Sequence, residues 1–135
     1  MLGIQDAEHE ETAPEASRLV ISKLTCSLVG TTQTITLVPG TRAHWAYGGT
    51  VVTEQFACNY GLNPAYREPI SAAGLQVTGL DPTGEVRIVE LSAHRFFMAT
   101  LFLPQASSSP GRPHPVIMAY LQAARRCKAP QEMRV

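Results

Sequence analysis

Two apolar-rich stretches, Leu75 to Leu80 and Glu85 to Leu91, are separated only by Asp81-Pro82-Thr83-Gly84. Proline second and glycine last in a four-residue link specify a type I turn, so the two stretches read as paired antiparallel strands. That hairpin commits the middle of the chain to a sheet. Upstream, Arg18 to Leu24 reads as a short strand, and Thr32 to Val38 alternates polar with apolar until Pro39-Gly40 stops it. Thr50 to Tyr60 carries β-branched and aromatic residues and reads as one further strand. Asn63-Pro64 opens a helix over 65–73 that Gly74 ends, with Pro69 as a possible break. After a loop at 92–95, Phe96 to Leu103 is almost wholly apolar and reads as a strand buried on both faces. Pro115 suits a first helical position, and Val116, Ile117, Tyr120, Leu121 and Ala124 follow as one apolar stripe. Strands outnumber helices, yet a buried strand followed by a closing helix indicates an α/β fold.

With 135 residues the chain fits one domain, divided into an acidic lead-in (1–16), a core (17–127) and a tail (128–135). The lead-in carries Asp6, Glu8, Glu10, Glu11 and Glu15 and reads as a solvated loop. Arg125, Arg126, Lys128 and Arg134 near the other end suit a helix terminus whose dipole favours cations. Eleven Lys plus Arg balance eleven Asp plus Glu, so nothing indicates a nucleic-acid partner. No apolar run approaches membrane-spanning length, and the acidic N-terminus has no signal-peptide character. Cys26, Cys58 and Cys127 read as reduced thiols, which implies a cytoplasmic setting and no zinc site. His9 and His44 have no metal-ligand spacing; Gly48-Gly49 lacks the Lys-Ser/Thr of a phosphate loop; no cofactor is implied. Trp45 and Tyr47, read here as loop residues beside those glycines, either line a pocket or cover the core.

The ordered segments E-Q-F-A-C-N-Y (54–60), A-A-G-L-Q-V-T-G (72–79), V-E-L-S-A-H-R-F-F-M-A-T-L-F-L-P-Q (89–105) and S-S-P-G-R-P-H-P (108–115) carry a resemblance. In this order they resemble the class I glutamine amidotransferase family, and in particular the C-terminal glutaminase domain of CTP synthase and its bacterial relatives. The resemblance implies a flavodoxin-like α/β fold of which this chain supplies the C-terminal half, a mixed sheet with flanking helices. Met1-Leu2-Gly3-Ile4 would correspond to the end of the helix that follows the family's nucleophile.

In that family a cysteine in a G-x-C-x-G turn attacks the glutamine amide. A histidine activates it and a glutamate two residues on orients the ring, the last two supplied by H-P-E. Here the corresponding residues are Leu103, Pro104 and Gln105, and no cysteine lies in a G-x-C-x-G turn. Leucine accepts no proton, and glutamine carries no charge to stabilise an imidazolium. The expectation is therefore a protein unable to hydrolyse glutamine, binding a partner chain (a second copy or a separately encoded front half) or a small ligand. The alternative is an enzyme of a specialised biosynthetic pathway, with the old pocket reused around Cys58, Glu54 and Gln105 and lined by Asn59, Tyr60 and Leu103. Cys58 reads first as a small buried hydrophobe, since no histidine is near in sequence. His94 and His114, which match family histidines, read as loop and helix-start residues.

Overall fold

The computed structural model describes residues 2–127, so the tail and its Lys128 and Arg134 lie outside the described residues. The hairpin turn forms as its sequence requires: the Gly84 N–H donates to the Asp81 carbonyl at 3.0 Å, and Gly84 takes a left-handed φ of 86°. The strands it joins, β6 (Leu75–Leu80) and β7 (Val86–Leu91), sit within a five-stranded antiparallel sheet. Strand β3 (Thr31–Leu37) lies beside β6, β4 (Val51–Phe56) closes the edge beyond it, and β8 (Met98–Thr100) closes the other edge against β7. A smaller mixed sheet joins β1 (Glu8–His9), β2 (Leu19–Lys23) and β5 (Tyr60–Leu62), with β1 parallel and β5 antiparallel to β2.

Three helices complete the α/β fold: α1 (Arg42–Tyr47), α2 (Arg67–Ala72) and α3 (Pro115–Cys127). The core is shared by β3, β4, β7, α1 and the segment after β8, through Ile35, Leu37, Ala43, Phe56, Ile88 and Phe102. Phe102 is fully buried with its ring 5.9 Å from that of Phe56, and truncating a residue so placed costs about 3–5 kcal/mol.

Five expectations change. The 50–60 run is two strands in two sheets, because residues 57–59 turn away and Cys58 and Asn59 give their backbone carbonyls to the 24–28 segment: Leu28 N–H bonds Cys58 O and Leu24 N–H bonds Asn59 O. The 96–103 run is not a strand buried on both faces; only Met98–Thr100 pairs, at a sheet edge, with Ala99 exposed. Residues 42–47 form a helix, capped by the Thr41 hydroxyl on the His44 N–H and stopped by Gly48 at φ 72°. The helix after Asn63 begins as a 3-10 turn, Pro64–Tyr66, before α2. Pro69 is tolerated because it occupies the first turn of α2, where its missing N–H has no helical partner to lose. Part of the acidic lead-in is structured: β1 pairs with β2, and the Glu10 carboxylate accepts from the Lys23 N–H.

Candidate functional site

Strand β4 turns Val52, Glu54 and Phe56 to one face. A carboxylate between two inward apolar residues must find donors or remain costly. Glu54 finds two. The Tyr47 hydroxyl donates to its Oε1 at 2.5 Å, and His114 Nε2 lies 2.8 Å from the same oxygen. The Val116 N–H points at His114 Nδ1 at 3.2 Å, which makes Nδ1 an acceptor. The proton therefore sits on Nε2 and is directed at Glu54, a neutral imidazole donating to a carboxylate. The same ring caps the start of α3, and the His114 N–H is itself held by Ser108 Oγ at 3.0 Å. Phe102 and Tyr47 flank the imidazole, with ring centroids 6.0 and 5.7 Å away. Burial pushes the Tyr47 hydroxyl far above the usual tyrosine range, and its hydrogen bond to Glu54 and that residue's charge push it further. The cluster ties α1, β4 and α3 together and holds every proton in place.

Glu54 therefore faces Tyr47 and His114, which separates it from the group of Cys58, Glu54 and Gln105 proposed from sequence. The Cys58 thiol instead donates to the Leu101 carbonyl at 2.9 Å, two residues before Leu103. Gly61 supports this contact: a Cβ there would come within 2.8 Å of Leu24 Cδ2 and 3.3 Å of Leu101 Cδ2. Cys58 is thus a neighbour of the segment that follows β8. Leu103 is 44% exposed and precedes a 3-10 turn, Pro104–Ser107, that carries Gln105 on the surface. Asn59 is exposed, while Tyr60 packs at a tilt against His9 with ring centroids 5.2 Å apart. His94 takes the loop role expected of it, its Nδ1 accepting from the Phe96 N–H at 3.2 Å.

A second polar cluster lies between the sheets. The buried Arg87 guanidinium donates to Asp81 at 2.7 Å beside a cleft of about 380 Å³ whose rim includes Lys23 and Gln33. Burial works to raise the Asp81 pKa. Bonds from Thr83 and the Glu85 N–H, with the Arg87 charge, outweigh it and hold the carboxyl below its usual range. This pair locks the hairpin turn to β7. Sequence reasoning missed it, though an acidic turn residue six positions before an arginine at an inward strand position was the available signal.

No family model matches the chain. CTP synthase of Carboxydothermus hydrogenoformans is 37% identical over 132 residues, covering 90% of this chain and 25% of that protein. The Pelotomaculum thermopropionicum CTP synthase is 45% identical over 93 residues, covering 68% of this chain and 17% of that protein. The chain thus spans a quarter or less of the length of these curated relatives. Among solved structures, the Trypanosoma brucei CTPS glutaminase domain with bound acivicin superposes with a TM-score of 0.85 at 27% identity. That match covers 93% of this chain and 53% of that one. Fold and sequence together define a class I glutamine amidotransferase-like domain. Its particular likeness is to the C-terminal, glutaminase domain of CTP synthase. Among the described residues no helix is long and apolar enough to cross a membrane.

Proposed function

We propose that this chain is a glutamine amidotransferase-like domain that does not hydrolyse glutamine and instead binds a partner chain or a small ligand. The observation that carries the reading is Leu103, which follows β8 by three residues and stands where the resemblance matches the family's general base. Supporting it, the imidazole of His114 is 3% exposed and bonded through both ring nitrogens, so it is not placed to take a proton from a nucleophile. Losing one member of such a triad already removes several orders of magnitude in rate. The purified chain, incubated with glutamine in an ammonia-detecting coupled assay, should release ammonia no faster than buffer. Steady release that disappears when Cys26, Cys58 or Cys127 is replaced would overturn the reading.

The partner is a second copy or a separately supplied front half. Supporting that, β8 ends the sheet with one side unpaired among the described residues, and Tyr120 and Leu121 of α3 are 55% and 47% exposed. Unpaired strand edges beside exposed apolar side chains are surfaces that association covers.

The proximity of Cys58 to Leu101 favours one second reading, an enzyme of a specialised biosynthetic pathway using that thiol as nucleophile. Rapid labelling of Cys58 by iodoacetamide near neutral pH would support it. An inert Cys58 returns the balance to binding.

A further inference from the structure

On the side of the molecule where α1 runs against α3, the 92–97 loop crosses the two helices and leaves a groove of about 350 Å³. Ala46, Ala119 and Ala123 form its floor, so the helices pack closely and the base is apolar. Arg42, Arg95 and Arg126 line it, and among the described residues no carboxylate does. The Arg42 guanidinium is pinned by the carbonyls of Leu91, Ser92 and His94, and lies 5.9 Å from the Phe96 ring centroid. Its charge is therefore fixed in place without an acidic partner. Glu90, a carboxylate facing this helix, accepts from the backbone N–H groups of Arg42 and Ala43. Arg95 donates to the Cys127 sulfur at 3.1 Å.

At the groove's edge stands Trp45, 77% exposed. An exposed indole beside three arginines that form no ion pair among the described residues is a surface that a flat anion would cover from both directions. The ring would stack on the indole, and the charge would meet the guanidinium forks.

We propose that this groove binds a small aromatic anion, its ring on Trp45 and its phosphate or carboxylate held by Arg95 and Arg126. The groove shares no residue with the Cys58–Leu103 neighbourhood, so the inference stands whatever becomes of the proposed function. Its volume lies within the usual range for small-molecule sites, roughly 300–1,000 Å³.

Trp45 is the chain's only tryptophan, so its fluorescence reads this groove directly. The full chain is titrated with AMP, adenosine, inorganic phosphate and hippurate. Saturable quenching by AMP, with adenosine and phosphate each about tenfold weaker or worse, identifies a site that needs ring and charge together. Hippurate matching AMP identifies a carboxylate site of the same chemistry; hippurate failing restricts the site to phosphates. Arg126→Ala, an exposed change that leaves folding intact, should weaken AMP about tenfold, the worth of one charge-assisted contact. Arg95→Ala, checked for native circular dichroism, should do the same. Quenching that rises linearly without saturating, or an AMP affinity unchanged in the double Arg95→Ala/Arg126→Ala variant, overturns the proposal.

Discussion

Glu54 shows how much one side chain can organise. It accepts from a hydroxyl on α1 and from an imidazole at the start of α3 while standing on β4. Replacing it by alanine leaves the partly buried Tyr47 hydroxyl and the buried His114 Nε2–H with only each other, 3.4 Å apart. The expected loss is about 1–3 kcal/mol in urea unfolding, from the lost carboxylate acceptor. Tyr47 adds a pH signature with a definite sign. Its folded pKa is raised above the unfolded value of 10.0, so its contribution is complete below about pH 10 and is lost as pH climbs further. Tyr47→Phe should cost about 1 kcal/mol at neutral pH and flatten the decline of stability above pH 10. A decline as steep as that of the parent would show that the hydroxyl does not titrate as the geometry requires. Glu54 was singled out from sequence, but together with Cys58 and Gln105; its actual partners were not legible, because His114 lies 60 residues away in sequence.

Elements were legible in proportion to how local their causes are. The Asp81–Gly84 turn is specified by four adjacent residues, and α3 by its proline start and apolar spacing. Three of the five residues of the predicted stripe on α3 nevertheless point outward: Val116 is buried while Tyr120, Leu121 and Ala124 are exposed. Helix α1 escaped notice because six residues give no periodicity, and its strongest N-terminal support comes from Glu90, 47 and 48 positions along the chain. Between β6 and β7 the register shifts at Gly79. A Cβ there would sit 2.7 Å from Ile88 Cγ1, a fully buried side chain. Gly79→Ala should therefore destabilise by about 1–3 kcal/mol through overpacking, measured as a lowered urea midpoint. A neutral result would mean that the bulge can slide.

For the molecule as a whole, the likeness to the CTP synthase glutaminase domain was readable from segments spread over residues 54–124, since the order of strand, turn and helix signals is itself a fold description. Packing across the edge at β8 was not, because periodicity shows which face of a strand is apolar and not what lies beside it. The exposed Tyr120 and Leu121 lead to a prediction at this scale. In size-exclusion chromatography with light scattering, the chain should show a mass above 14.6 kDa that rises with concentration, and Leu121→Glu should return it toward the monomer. A monomer at every concentration would remove the second-copy reading and leave the separately supplied half.

The chain leaves one sheet at Phe56 and enters the other at Tyr60, and the carbonyls of Phe56, Cys58 and Asn59 are all taken by the 24–30 segment. Neither sheet can open without dragging its neighbour. Amide protons of β2 and β4 should therefore exchange with deuterated solvent at one shared rate, as a single cooperative unit despite lying in separate hydrogen-bonded layers.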